Sequence, residues 1–160
     1  MAARREHLRV GLISDTHGLL RPQALAALRG SVHIVHGGDI GNEAAILEQL
    51  AAIATVTAVR GNNDVGKWTT AIRESETFEL AGVRIHVVHD LKTLAIDPVA
   101  GRIDVVVSGH SHTPVVDRRG SVLYVNPGSA GPRRFRQPVS IAELLIANGK
   151  ATARIVELQA

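Results

Sequence analysis

The chain has 160 residues, 45% hydrophobic and 21% charged, which suits one domain (residues 1–160) with one substantial core. It has no cysteine, which removes disulfides, thiolate metal sites and cysteine nucleophiles, and only 2% aromatics, too few to offer ring platforms to single-stranded nucleic acid. The net charge of +3 is mild, no apolar stretch is long enough to span a bilayer, and the charged start from Met1 to His7 lacks the apolar region of a signal peptide, so a cytoplasmic protein with no membrane partner is expected. In chain order, Arg9–Ser14 reads as a strand and Pro22–Leu28 as a helix with Pro22 in its first turn. Val32–His36 is a second strand. A helix over Asn42–Ile53 follows, with Asn42 as N-cap and Glu43 in the favourable first turn. Thr55–Arg60 is a third strand, and Glu76–Leu80 and Arg84–Val88 are two more around a turn at Ala81-Gly82-Val83. A short helical piece spans Leu91–Ile96, and the apolar run Ile103–Ser108 suits a strand buried on both faces. Pro114–Asp117, Ser121–Val125, Ser140–Ala147 and Thr152–Leu158 read as successive strands of a meander. An α/β chain that opens with alternating strands and helices and closes with strands alone fits two packed sheets flanked by helices.

Ligand-type side chains fall just past the ends of these strands. Asp15 and His17 follow the first, Asp39 the second and Asn62 the third; His89 follows Arg84–Val88, and His110 and His112 follow Ile103–Ser108. In α/β sheets, ligands bind outside the carboxyl ends of strands, so five strands deliver these groups to one edge. Each motif alone fits a turn, a cap or a buried histidine; their ordered recurrence at strand ends does not. Two carboxylates, four imidazoles and one carboxamide form an oxygen and nitrogen donor set for first-row ions, with manganese preferred and iron, zinc or nickel as alternatives. Seven donors exceed one tetrahedral site and match two divalent ions about 3.5–4 Å apart sharing a carboxylate. Their surplus positive charge would acidify a bridging water and attract a phosphate ester.

The motifs Asp15-Thr16-His17-Gly18, Gly37-Gly38-Asp39, Gly61-Asn62-Asn63-Asp64, His89 and Gly109-His110-Ser111-His112, in this order, resemble those of the calcineurin-like metallophosphoesterase superfamily. Asn126-Pro127-Gly128-Ser129 and the short chain are similar to its small microbial phosphodiesterase branch. The resemblance implies a four-layer αββα sandwich of two mostly mixed sheets. It implies one metal on Asp15, His17, Asp39 and His112, and a second on Asn62, His89 and His110 with Asp39 as bridge. It also implies hydrolysis of a small phosphodiester, with some monoesters, by a metal-bridging hydroxide.

Two positions depart from that pattern. Asn63 stands where relatives often carry His or Cys, and an amide cannot act as a general acid; Asp90 follows His89 where Gly is common. Asn63 and Asp64 are the candidate catalytic residues beside the ligands, Asp64 by orienting Asn62 or a ligand histidine or by closing its own turn. Asn126 and Ser129 are read as holding their loop. His7, His33, His36 and His86 receive no role, although His36 could approach the site from the second strand. The alternative function is a protein-interaction scaffold on the same fold, as in a relative from the eukaryotic retromer coat. Nucleic acid is left open as a partner on the mild basicity and the Arg133–Arg136 cluster alone, and a homo-oligomer is left open too.

Overall fold

The computed structural model describes residues 7–42, 45–134 and 136–159. Two five-stranded mixed sheets pack face to face. The first contains β1 (Leu8–Ile13), β2 (His33–His36), β3 (Thr55–Ala58), β9 (Ser140–Ala147) and β10 (Lys150–Glu157), in the order β10-β9-β1-β2-β3. The second contains β4 (Ser75–Leu80), β5 (Val83–Val88), β6 (Val105–Val107), β7 (Val115–Arg119) and β8 (Val122–Asn126), in the order β4-β5-β6-β8-β7. β1, β2 and β3 run parallel, as do β5, β6 and β8, so each sheet has a parallel centre whose strand ends carry the loops of interest.

Period-two alternation explains the layers. Val10 and Leu12 of β1 and Val35 of β2 turn inward to meet Ile85, Val87, Val105, Val107 and Val125 of the second sheet. Ile13 and Ile34 turn outward, under Ala24 and Leu28 of α1 (Pro22–Leu28) and Ile46 and Leu50 of α2 (Ala45–Ala51). Both described α-helices thus cover the first sheet. On the outer face of the second, Ile103, Val106, Val122 and Tyr124 form a small cluster, and residues 90–96 border the outward-facing His86 and Tyr124.

Local sequence accounts for most boundaries. Pro22 opens α1 at N1, where its missing N–H costs no hydrogen bond. The β4–β5 hairpin closes on two residues, Ala81 and Gly82, both at positive φ, rather than the three expected. The piece expected over Leu91–Ile96 is a single 3-10 turn, Leu91–Thr93, capped by the Asp90 side chain accepting from Lys92 N at 3.0 Å.

Two expectations are corrected. The helix expected over Asn42–Ile53 is described only over Ala45–Ala51, and Asn42 takes φ 52°, a left-handed conformation rather than the extended one of an N-cap; Glu43 lies outside the described residues. The late strands do not form one meander. β7 and β8 are a hairpin of the second sheet, while β9 and β10 are a hairpin whose β9 runs antiparallel to β1. The alternation of β9 is equally apolar on both faces, so periodicity alone could not say which sheet it joins. Among the described residues no helix is long and apolar enough to cross a membrane.

Candidate metal centre

The loops after β1, β2, β3, β5 and β6 meet where the two sheets' strand ends converge. Two groups of donor atoms form there, Asp15 with His17 and His112, and Asp39 with His89 and His110; within each, the donor atoms lie within 4.8 Å of one another. The groups touch. His17 Nε2 is 3.8 Å from both Asp15 Oδ1 and Asp39 Oδ2, and Asp39 Oδ2 is 3.3 Å from His89 Nε2. Asn62 Oδ1 completes the second group, 3.0 Å from His89 Nε2 and 3.2 Å from His110 Nδ1.

Backbone conformation brings the donors together. Asp15, His17, Asp39, His110 and His112 all have φ between 45° and 70°, the left-handed region that non-glycine residues seldom enter. Each such residue costs about 1 kcal/mol or more, and such strain gathers at functional sites. Close backbone approach adds to it. A methyl group on Gly109 would intrude on Ser14 and lie 2.6 Å from Asp15 Oδ2, and one on Gly61 would collide with the backbone and carboxylate of Asp39.

Asp15 is fully buried. Its Oδ2 accepts from Ser14 Oγ at 2.6 Å and His110 N at 3.0 Å. Its Oδ1 has no hydrogen-bond partner, yet faces His112 Nε2 at 3.3 Å, His17 Nε2 at 3.8 Å and His89 Nε2 at 4.0 Å. Nε2 of His17 and of His112 are only 3.4 Å apart. Lone pairs from a buried carboxylate and several imidazoles converging on one point fit a cation, so the residues present match the metal that the sequence implies. His89 is oriented for it: Nδ1 donates to Gly37 O at 2.7 Å, leaving Nε2 aimed at Asp39.

Protonation follows the same geometry. Burial pushes the Asp15 carboxyl up, but the His112 imidazole facing it and the Ser14 hydroxyl bonded to it outweigh burial, and the net shift is downward. Burial likewise opposes ionisation of Asp39, whose bonds with His89 and the Asn63 amide nevertheless bring its pKa down to about 2. For His89, burial acts downward, while Asp39, the Gly37 carbonyl and Asp15 raise the net value. His36 is different: complete burial lowers it to about 4 and keeps it neutral.

The neighbouring residues hold loops. Asp64 Oδ1 accepts from Ile40 N at 2.9 Å and Gly41 N at 3.1 Å, and its Oδ2 accepts from Gly61 N at 2.9 Å, so its carboxylate pins the Asp39 loop to the Asn62 loop. Asn63 donates to Asp39 twice, from N to Oδ1 at 2.8 Å and from Nδ2 to Oδ2 at 3.1 Å. His36 does approach the site, as support. Its Nδ1 accepts from Gly38 N at 3.0 Å, which leaves Nε2 to donate to Thr16 Oγ1 at 3.0 Å, and Thr16 donates on to Ile40 O. Asn126 donates to Gly109 O and Ser111 Oγ, and Ser129 donates to Asp15 O. Ser14 and Thr16 are the supports that sequence reading passed over, since a hydroxyl beside a ligand has no periodicity or spacing to mark it. Asp90 Oδ2 stands 3.8 Å from His110 Nε2. His33 bonds Thr57 and stacks on Phe78, and His86 bonds Thr77, both away from the donors. Arg133 and Arg134 are exposed; Phe135 lies outside the described residues.

Comparison with known proteins gives the same class. The calcineurin-like phosphoesterase superfamily domain matches residues 8–149. The Probable metallophosphoesterase of Methanocaldococcus jannaschii is 32% identical, over 94% of this chain and 81% of its own. Phosphodiesterase YfcE of Escherichia coli is 29% identical, over 82% of this chain and 84% of its own. Vacuolar Protein Sorting 29 from Cryptosporidium parvum superposes with a TM-score of 0.76 at 18% identity, covering 96% and 99% of the two chains, a likeness of fold. Fold, donor groups and relatives define a phosphoric ester hydrolase of the kind that works with divalent metals. The chain belongs to the calcineurin-like phosphoesterase superfamily.

The three amides held by Asp64 make its replacement a stability experiment. Asp64→Ala should lower unfolding free energy by about 2–4 kcal/mol in urea titration, because buried backbone donors lose charge-assisted acceptors. Unchanged stability with lost turnover would instead give Asp64 a chemical part.

Proposed function

We propose that the protein is a dimetal phosphodiesterase acting on small phosphate esters. Asp15, His17, Asp39 and His112 would hold one ion, and Asn62, His89 and His110 would hold the other with Asp39 between them. The observation that carries this reading is the bare, buried Asp15 Oδ1 facing three imidazoles, beside an Asp39 Oδ2 that lies between His17 and His89. Manganese is the first ion to test, and iron, zinc and nickel suit the same oxygen and nitrogen set. When bound, two such ions supply charge that stabilises a phosphoryl transition state and a lowered pKa for water.

The chain's own residues contribute position and charge. Asn63 fixes both oxygens of Asp39 from one side, which sets where the shared carboxylate points. Gly37 O fixes the tautomer and ring plane of His89. Asp90 adds a negative charge beside His110, which disfavours a dianionic substrate more than a monoanionic one. Asn63 can donate a hydrogen bond to a departing oxygen but cannot give up a proton. The scaffold alternative draws support from the fold shared with Vacuolar Protein Sorting 29; all seven donor positions being filled favours catalysis.

Metal content is the first test. After reconstitution with Mn²⁺, elemental analysis should approach two equivalents per chain, and chelation should abolish turnover. Asp39→Ala should remove activity and reduce both equivalents, while His89→Ala should reduce mainly one. Saturation at one equivalent in the wild type, or near-normal turnover by Asp39→Ala, would contradict the proposal.

Substrate preference is the second. An aryl diester should be cleaved faster than an unactivated alkyl monoester under the same Mn²⁺ conditions. Expulsion of an alkoxide from a dianion relies on an acid that typically contributes about 10²–10⁴-fold. Asn63→His should raise alkyl monoester turnover selectively. Faster wild-type cleavage of the alkyl monoester than of the diester would show that another group supplies the proton.

A further inference from the structure

A cavity of about 300 Å³ opens beside the second donor group, on the outer face of the second sheet. His110 and Asp90 form its metal-facing end, Tyr124 its floor, and Val115 and Leu91 two of its walls. Strand register explains the composition: Val115, Asp117 and Arg119 alternate to the same face as Tyr124 and Asn126 of the paired strand. Val115 is 39% exposed and Leu91 37%, so apolar side chains from two separate elements face a concavity that the described residues leave open.

The cavity is also built to keep its shape. The Arg119 guanidinium lies 4.5 Å from the centroid of the Tyr124 ring, and Arg119 Nε donates to Asp117 Oδ2 at 2.9 Å. Asn126 Nδ2 donates to Gly109 O at 3.0 Å and Ser111 Oγ at 3.1 Å, which ties the floor strand to the loop carrying His110. Apolar walls with a few fixed polar groups describe a small-molecule pocket, and this volume is at the small end of that class. It has room for one ring-bearing group rather than a polymer.

We propose that this cavity receives an aromatic group carried on the ester oxygen, so that the substrates are phosphate esters of aryl or nucleoside alcohols. The inference rests on the phosphoesterase reading for the position of the phosphoryl group, between His110 and the donors behind it. A flat ring would lie against Tyr124 between Val115 and Leu91. A methyl or ethyl ester would leave those walls in contact with water.

Binding of stable analogues tests this without turnover. Calorimetry on the manganese-loaded protein would compare ethylphosphonate, benzylphosphonate and a thymidine 5′-phosphonate, in which a C–P bond replaces the hydrolysable ester bond. The two ring-bearing ligands should bind about tenfold more tightly than ethylphosphonate, about 1.4 kcal/mol. Comparable affinity for both would assign the cavity to any aromatic group, and a further gain for the thymidine 5′-phosphonate would assign it to nucleosides. Val115→Trp, which fills the cavity, and Leu91→Ser, which removes the opposite wall, should each bring all three affinities within about twofold, with unfolding midpoints checked by thermal scans. Equal affinities in the wild type, or a ring preference that survives in both variants, would overturn the assignment. Aromatic preference in a protein that hydrolyses no phosphate ester would refute the phosphoesterase reading while leaving the cavity's role standing. Hydrolysis without aromatic preference would do the reverse.

Discussion

The fold is arranged around a carboxylate with one occupied oxygen and one bare oxygen. Asp15 sits at the end of β1, fully buried, and its Oδ2 is fixed by Ser14 and by the backbone amide of His110. The second of these bonds connects the two sheets, because Asp15 follows a strand of the first and His110 follows a strand of the second. Together the two bonds decide where Oδ1 points, toward the imidazoles of His112, His17 and His89. A buried anion without a full set of donors is costly unless a positive charge compensates it. His89, whose pKa is raised despite burial by Asp39, the Gly37 carbonyl and Asp15, supplies part of that compensation in the protein alone, and a divalent cation would supply it more completely. Left-handed backbone at five donor positions belongs to the same account: local strain is tolerated because a tightly packed double sheet over-determines the loops.

Much of this was legible in the sequence because strand ends are legible. β6 is a continuous apolar run, β1 and β5 are mostly apolar and β2 is half apolar, and each is followed within a residue or two by glycine or a polar side chain. The donors Asp15, His17, Asp39, His89, His110 and His112 follow those strands within about five residues and Asn62 follows β3, and the structure brings all seven into one neighbourhood. Periodicity carries no information about which sheet a strand joins, so the placement of β9 beside β1, with β10 at the edge beyond it, was invisible. The α2 boundary was misjudged because Asn42 is a good capping residue that here takes a left-handed turn instead.

The supporting hydrogen bonds were the least legible part. From sequence, Asp64 orients Asn62 or a ligand histidine or closes its turn; in the structure three backbone amides, two of them in the Asp39 loop, occupy its oxygens. His36 has no role from sequence beyond an approach to the site; its two nitrogens link Gly38 to Thr16, and burial holds the ring neutral. Both clamp the loop that carries Asp39. The cavity over Tyr124 was equally hidden, since it arises from β7 and β8 pairing beside a capped 3-10 turn far away in the chain. Geometry of this kind depends on which loops become neighbours, which no local pattern encodes.

If Asp39 lies between two ions, with Asp15 Oδ1 directed at one of them, anomalous diffraction at the manganese edge from crystals of the manganese-loaded protein should show two peaks about 3.5–4 Å apart. Asp39 Oδ2 should lie within coordination distance of both, and Asp15 Oδ1 within coordination distance of the ion beside His17 and His112. A single peak, or two peaks with Asp39 bound to only one of them, would contradict this arrangement.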